Sequence, residues 1–114
     1  MNVAQLRTML QDAINDGYGD YYVNFCDQDG DTVTINKCYE DDDDDVCLES
    51  NEFDTYEYTA EQLLSELEDY NNNTYIYVYD DDNDLNFDID DDKDWYIGED
   101  DCLTIDTYYE EDDD

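Results

Sequence analysis

The chain has 114 residues, of which 38 are acidic and 3 are basic, and its formal net charge is −35. This length suits one compact domain or two very small ones, and the charge excludes direct binding to nucleic acid or to an anionic membrane. Hydrophobic residues nevertheless make up 39% of the sequence and aromatic residues 15%, with 13 tyrosines and no proline. Disordered acidic segments lack such apolar content, so we predict a folded α+β protein whose surface is almost entirely negative.

The first half of the chain begins with a predicted helix over residues 3–16. Asn2 and Gln5 have the spacing of a capping box, and apolar residues then recur three and four positions apart until Gly17, a typical helix end. Alternating apolar residues predict strands over residues 21–26, 32–38 and 53–58. The segments between them are a turn at 27–31, six consecutive carboxylates at 40–45 and a short apolar piece at 46–48.

The second half repeats this order. Thr59 and Gln62 again have the capping-box spacing at the start of a predicted helix, which ends at three consecutive asparagines, residues 71–73. Strands are predicted over residues 74–79, 85–90, 94–97 and 102–109. Residues 110–114 are predicted to be a disordered acidic tail.

The two halves also match in sequence. The matches pair Ala4-Gln5-Leu6 with Glu61-Gln62-Leu63, Val33 and Ile35 with Phe87 and Ile89, Cys47-Leu48 with Cys102-Leu103, and residues 54–56 with 106–108. They predict a tandem duplication of an α-β-β-β-β unit with a period of about 52–57 residues, in which residues 1–58 and 59–109 are the repeats. We therefore expect two helices packed on an antiparallel sheet around a pseudo-two-fold axis. Each half is small for a core of its own, so the halves should share one or pack closely.

The cysteines do not predict a metal site. Cys26, Cys38, Cys47 and Cys102 occur without any histidine, and their spacing matches no common zinc-ligand pattern. We expect reduced thiols in a cytoplasmic protein. No apolar run follows a basic segment near the start, so neither a signal peptide nor a membrane span is predicted. No cofactor is predicted.

The turn that begins at Asp27 resembles an EF-hand calcium loop only superficially. Its glycine is the fourth residue instead of the sixth, and its twelfth residue is Cys38 instead of a glutamate. Carboxylates are so abundant that no pair stands out as a tuned acid and base, and there is no glycine-rich phosphate loop. We therefore predict that the protein is not an enzyme, although its surface should bind cations weakly.

The acidic clusters are the candidate functional surface. Duplex DNA carries one charge per about 1.7 Å of axis, so this net charge corresponds to roughly 60 Å of duplex, on a domain with a radius of gyration of about 13 Å. Aspartate, the predominant acid, holds its charge on a short stem at little entropic cost. This pattern favours phosphate mimicry over a solvated acidic face or a salt-adapted surface. The predicted partner-binding residues are Asp41, Asp42, Asp43, Asp44, Asp45, Asp80, Asp81, Asp82, Asp84, Asp88, Asp90, Asp91, Asp92, Asp94 and Trp95.

In charge and length the chain resembles the DNA-mimic inhibitors of phages and mobile elements. These include antirestriction proteins, the uracil-DNA glycosylase inhibitor and acidic anti-CRISPR proteins. The resemblance covers the whole chain but includes no shared motif, so it assigns no role to any residue. It implies a stoichiometric inhibitor that occupies the nucleic-acid groove of a host nuclease, CRISPR effector, methyltransferase or glycosylase.

Two alternatives belong to a different class. The chain could be an acidic binding module that chaperones a basic protein, or a calcium-binding and calcium-buffering protein. A homodimer is also compatible with the sequence.

Overall fold

The computed structural model describes residues 1–51, 58–98 and 101–109, which contain two α-helices and eight strands. The helices are α1 (Val3–Ala13) and α2 (Ala60–Leu67). The strands are β1 (Val23–Cys26), β2 (Thr32–Thr34), β3 (Lys37–Glu40), β4 (Val46–Ser50), β5 (Ile76–Asp80), β6 (Leu85–Ile89), β7 (Tyr96–Ile97) and β8 (Leu103–Tyr108). The predicted α+β class is confirmed.

Both helices begin with the predicted capping box. The Asn2 side chain accepts a hydrogen bond from the Gln5 amide at 2.9 Å, and the Gln5 side chain accepts one from the Asn2 amide at 2.8 Å. Thr59 and Gln62 make the same two bonds at the start of α2. The exchange stabilises each helix start by satisfying amides that have no partner within the helix.

The first helical segment ends differently from the prediction. Helix α1 ends at Ala13, and one π-helical turn, Ile14–Tyr18, follows it directly. Within this turn Gly17 has a φ of 100°, a backbone angle that residues with a Cβ atom rarely adopt. Gly17 therefore breaks the helical path close to the predicted end.

The strands form a mixed sheet in the order β2-β1-β8-β6-β5-β4-β3, with β7 pairing with β8. The β1–β8 and β4–β5 pairs are parallel and the other pairs are antiparallel. The expectation of an antiparallel sheet is therefore wrong for these two pairs. Each parallel pair joins a strand of the first half to one of the second, and alternating apolar residues carry no information about strand direction.

The predicted strand over residues 32–38 is divided into β2 and β3, which lie at opposite ends of the strand order. Only Ile35 and Asn36 connect them. In a flat sheet these edges would be about 29 Å apart, because six strand spacings separate them. The connection spans at most about 11 Å, so the sheet has to curl until its edges come close together. Ile35 is fully buried, and the Asn36 amide donates to the Glu49 carbonyl at 2.8 Å.

Two further expectations concern the first half and the tail. The apolar piece at residues 46–48 is part of β4, a five-residue strand that pairs with both β3 and β5. Most of the strand predicted at 53–58, and the predicted disordered tail at 110–114, lie outside the described residues.

A single buried core joins the two halves of the described chain. It contains Leu6 and Leu10 of α1, Leu63 and Leu67 of α2, and apolar residues from strands in both halves. Helix α1 also packs against α2. The burial of the inward strand residues leaves the outer sheet surface to polar and aromatic side chains. Among the described residues, neither helix has the length and apolar character needed to cross a membrane.

Candidate functional site: an acidic sheet face braced by tyrosines

The outer surface of β3, β4, β5 and β6 carries alternating tyrosines and polar residues. On β5, Ile76 and Val78 are buried, whereas Tyr77 and Tyr79 are partly exposed. Strand alternation places the register partners of these tyrosines on the same outer surface. We call this surface, together with the β3–β4 turn and Tyr75 beside it, the tyrosine face; its residues are Lys37, Tyr39, Asp41, Asp43, Asp45, Cys47, Glu49, Tyr75, Tyr77, Tyr79, Asn86 and Asp88.

Tyrosine hydroxyls on this face donate hydrogen bonds to carboxylates. Tyr77 donates to Asp41 Oδ2 at 2.7 Å and Tyr79 donates to Asp84 Oδ1 at 2.9 Å. Tyr39 donates to Glu49 Oε1 at 3.2 Å. Hydrogen bonds to ionised acceptors are short and strong, so the phenols hold these carboxylates at defined positions.

The turn between β3 and β4 is organised by Asp41. Its Oδ1 atom accepts hydrogen bonds from the amides of Asp43 and Asp45 at 2.9 and 3.0 Å. Short aspartate side chains favour this kind of turn because they bond to amides a few residues onward. The Tyr77 hydroxyl, and then the two amides, lower the pKa of Asp41. This carboxylate is therefore fixed in its charged form.

Asp45 has the opposite electrostatic environment. Loss of hydration, and then the charges of Asp41, Asp43 and Asp44, raise the pKa of Asp45. No described cation lies in an ion pair with it, because the ion pairs among the described residues join Lys37 to Glu49 and Lys93 to Asp106. A positive group placed beside Asp45 would relieve this repulsion.

The turn after β5 uses its first aspartate as a brace. Asp80 is 5% exposed, and its carboxylate accepts from the Asp82 amide at 3.1 Å and from the Asn83 side chain at 2.8 Å. The sequence predicts Asp80 as a partner-binding residue, and the structure shows it buried in its turn at the lining of a cavity, so a partner contact by Asp80 stays a prediction. Asp81, Asp82 and Asp84 are exposed around it.

A second acidic turn lies beside this one and was not predicted to belong to the site. The turn between β1 and β2 contributes Asp27, Asp29 and Asp31 to a cavity of about 610 Å³, which Asp80 and Asn83 also line. The sequence contains the signal, because the acids in both turns are spaced two residues apart: Asp27, Asp29 and Asp31 in one, Asp80, Asp82 and Asp84 in the other. The Tyr109 hydroxyl braces Asp29 at 2.7 Å.

The remaining predicted residues divide between different parts of the surface. Asp88 is half-buried opposite Tyr77, and it shares a cavity with the β3–β4 turn. Carboxylate oxygens of Asp90, Asp91 and Asp92 lie within 4.8 Å of one another. Their loop continues to Asp94, which is exposed. The predicted residues are therefore distributed over the β3–β4 turn, the β5–β6 turn, β6 and the loop that follows it.

Trp95, another predicted partner-binding residue, packs against the helical side of the molecule. Its ring is half-buried and meets Tyr18 edge-on, with ring centroids 5.5 Å apart. Its Nε1 atom donates to Asp12 Oδ2 of α1 at 3.1 Å. These contacts tie the loop before β7 to the helical side of the molecule, and the exposed rings near the carboxylates are tyrosines.

The carboxylates also keep the tyrosines protonated. The hydrogen bond to Asp84 and loss of hydration raise the pKa of Tyr79 to about 12. Loss of hydration and the bond to Asp41 raise the pKa of Tyr77 further. At neutral pH these phenols are therefore hydrogen-bond donors, and none adds a negative charge.

Comparison with known proteins gives no relative for this chain. No protein-family model, no curated protein and no solved structure matches it.

Proposed function

We propose that this protein mimics nucleic acid and inhibits a DNA-binding enzyme of host defence by occupying its nucleic-acid groove. The observation that supports this function is the bracing of carboxylates by tyrosine hydroxyls and turn amides. A groove that binds DNA offers lysine and arginine side chains at fixed positions. Carboxylates already fixed in space can pair with them at a lower entropic cost than mobile side chains.

The electrostatics of binding support the same function. With a net charge of −35, the protein is attracted over long range to a cationic groove, which accelerates association. The same charge repels nucleic acid itself, so the inhibitor would compete for the enzyme and leave the DNA free. Its proposed location is the cytoplasm of the host cell, where such enzymes act.

We further propose that the two halves are repeats related by a pseudo-two-fold axis. Matching bonds at the helix starts support this relationship. Val3 donates its amide to the Thr74 carbonyl, and Ala60 donates to the Tyr21 carbonyl. Isolated bridges likewise join Asn2 to Tyr75 and Thr59 to Tyr22.

The strand registers support the same relationship, but they shift the alignment of the two halves at one of the sequence matches. In the parallel pairs, Val46 lies opposite Ile76 and Leu103 lies opposite Val23. Ile76 and Val23 correspond to each other, because each follows a bridged tyrosine, Tyr75 or Tyr22. Their partners Val46 and Leu103 therefore also correspond. This alignment is shifted by two residues from the sequence match of Cys47-Leu48 with Cys102-Leu103. The shift makes β4 and β8 equivalent strands of the two repeats.

This correspondence also supports a choice between the two equivalent parts of the sheet. The positions that match Tyr77, Tyr79, Asp88 and Asp41 are Asn24, Cys26, Thr34 and Gly98. At these four positions the tyrosine face therefore has tyrosines and carboxylates, whereas the matching part of the sheet has neutral residues. Tyr39 and Glu49, by contrast, match Tyr96 and Asp106, which form a similar pair. Because the scaffold does not require acids at the positions of Asp41 and Asp88, the tyrosine face is the better candidate for the contact surface.

Neutralising the tyrosine face should weaken inhibition. The variant Asp43→Asn, Asp45→Asn, Asp88→Asn removes three charges from this face and keeps the side-chain size. We expect it to displace DNA from the target enzyme less effectively, measured as the concentration that releases half of a labelled oligonucleotide.

The matched control is Glu66→Gln, Glu68→Gln, Asp69→Asn, because these three residues are exposed on and after α2. It removes the same charge from the helical side and should displace DNA nearly as well as the unmodified protein. Equal loss in the two variants would mean that net charge, and not the tyrosine face, governs binding.

A less selective function is favoured by the distribution of the acids. Carboxylates also cluster in the β1–β2 turn and in the 90–92 loop. An acidic module that chaperones basic proteins, or that buffers calcium, would use all of these clusters. Such a module would bind a basic protein without DNA-binding activity as tightly as it binds the enzyme, or would take up calcium with a defined stoichiometry in a calorimetric titration.

A further inference from the structure

Tyr75 presents a flat aromatic surface beside the β3–β4 turn. The residue is 39% exposed, and its ring stacks on that of Tyr77, with ring centroids 6.0 Å apart and planes 18° from parallel. The Tyr77 hydroxyl is in turn held by Asp41. Because Asp41 holds Tyr77 and Tyr77 stacks on Tyr75, these contacts restrict the orientation of the Tyr75 ring.

Carboxylates line the same cavity as this ring. Asp43, Asp45 and Asp88 line a cavity of about 270 Å³ together with Tyr75 and Tyr77. Whereas Asp41 already accepts bonds from a hydroxyl and two amides, the carboxylates of Asp43 and Asp45 accept no hydrogen bond from the described residues that would compete with a ligand. An aromatic surface and free acceptors thus meet at one point of the tyrosine face.

We infer that the exposed ring of Tyr75, beside the carboxylates of Asp43 and Asp45, receives an arginine guanidinium group of the partner protein in preference to a lysine ammonium group. The inference deepens the proposed function and rests on it for the identity of the partner. A guanidinium group is planar, is weakly hydrated and presents several donors in one plane. It can stack on a tyrosine ring and reach a carboxylate at the ring edge. An ammonium group is compact and strongly hydrated, and gains mainly Coulomb attraction here.

The chain contains a matched position for a control. Tyr22 is 48% exposed and forms a bridge to the start of α2, as Tyr75 does to the start of α1. The residues that correspond to Tyr77 and Asp88 are Asn24 and Thr34. Tyr22 therefore has the exposed ring and the same place in its half, but lacks these two neighbours.

The test is a titration of the intact protein, followed by NMR, with two short peptides of equal charge, acetylated and amidated Arg-Gly-Arg and Lys-Gly-Lys. The backbone amides of Asp43 and Asp45 and the ring signals of Tyr75 and Tyr22 report binding at each site. We expect half-saturation at Asp43 and Asp45 at a concentration of the arginine peptide about two- to fivefold lower than of the lysine peptide.

Variants separate the ring from the charge. Tyr75→Leu should remove the arginine preference at Asp43 and Asp45 while leaving lysine-peptide binding unchanged. Tyr75→Phe keeps the ring and should keep the preference, and Tyr22→Leu should also keep it. Equal half-saturation by the two peptides, or a preference that survives Tyr75→Leu, would overturn the inference.

The outcome is distinguishable from failure of the proposed function. A protein that displaces DNA from the enzyme but shows no arginine preference overturns only the role of Tyr75. A protein with the preference that displaces no DNA supports the recognition chemistry and overturns the DNA-mimic function.

Discussion

At the scale of single residues, a hydroxyl beside a carboxylate changes the chemistry of both groups. Each carboxylate gains a fixed donor, and each phenol becomes harder to ionise because a phenolate would face a negative charge. The effect is clearest where Tyr77 donates to Asp41, whose pKa is lowered. The pair therefore stays negative at neutral pH, and its carboxylate is held by a hydrogen bond.

The role of Tyr77 can be tested by Tyr77→Phe. The substitution removes the largest cause of the lowered Asp41 pKa, so we expect that pKa to rise in an NMR titration of the side-chain carboxyl carbons. A lowered folded-state pKa contributes stability above the unfolded value of about 3.9, and this contribution is lost as the pH falls through the folded-state pKa. The variant should therefore be less stable at neutral pH, by a difference that narrows in acid.

Tyr79→Phe is the control for this experiment, because Tyr79 donates to Asp84 and not to Asp41. It should leave the pKa of Asp41 unchanged. An Asp41 pKa that is the same in Tyr77→Phe and in the unmodified protein would show that the hydroxyl does not position this carboxylate.

At the scale of elements, the sequence predicts what depends on neighbours in the chain. The capping boxes at Asn2 and Thr59 are local patterns, and both form as expected. Strand direction is not local, since β4 and β5 are parallel only because the chain crosses through α2 between them. Periodicity also cannot predict that residues 32–38 divide between two sheet edges, because Ile35 would face inward in one continuous strand as well as in the divided one.

The short helix α2 should depend strongly on its cap. An eight-residue helix is too short to persist without tertiary contacts, and the Thr59 hydroxyl accepts the Gln62 amide at 3.2 Å. We expect Thr59→Ala to lower the free energy of unfolding by about 1 kcal/mol, measured by urea denaturation.

Thr8→Ala provides the comparison within α1. The Thr8 hydroxyl only donates back to the Ala4 carbonyl at 2.9 Å, and alanine is the better helix former. This variant should be as stable as the unmodified protein or slightly more stable. A loss at Thr8 equal to that at Thr59 would contradict the capping role.

At the scale of the whole molecule, one charge distribution should both drive binding and oppose folding. Like charges repel across a domain with a radius of gyration of 13.1 Å. At 0.1 M salt, the repulsion between exposed charges more than about 10 Å apart is largely screened. Salt also screens the attraction to a cationic enzyme. We therefore expect added sodium chloride to raise the melting temperature and to weaken inhibition.

The two salt effects are measured by thermal unfolding and by oligonucleotide displacement over the same range of salt concentration. Sucrose, which is uncharged, should not weaken inhibition and serves as the control. Inhibition that is insensitive to salt would argue against binding by charge. A melting temperature that falls with salt would show that repulsion does not limit stability.

The candidate site was only partly predictable at this scale. Composition indicates an acidic surface, and the runs at 41–45 and 80–84 stand out in the sequence. Burial of Asp80 and the contacts of Trp95 depend on how distant segments pack, so neither could be inferred from the sequence. The neighbouring β1–β2 turn joins the surface because the topology places two distant turns around one cavity.

The pairing of β1 with β8 has a consequence for synthesis on the ribosome. Strand β1 has only the three-residue β2 as a partner until β8 emerges, so a growing chain cannot complete its sheet early. Until β8 is synthesised, the apolar strands remain unassembled, and their unpaired edges are prone to aggregate. The dense negative charge destabilises the folded protein, but during this delay it would also make neighbouring nascent chains repel each other.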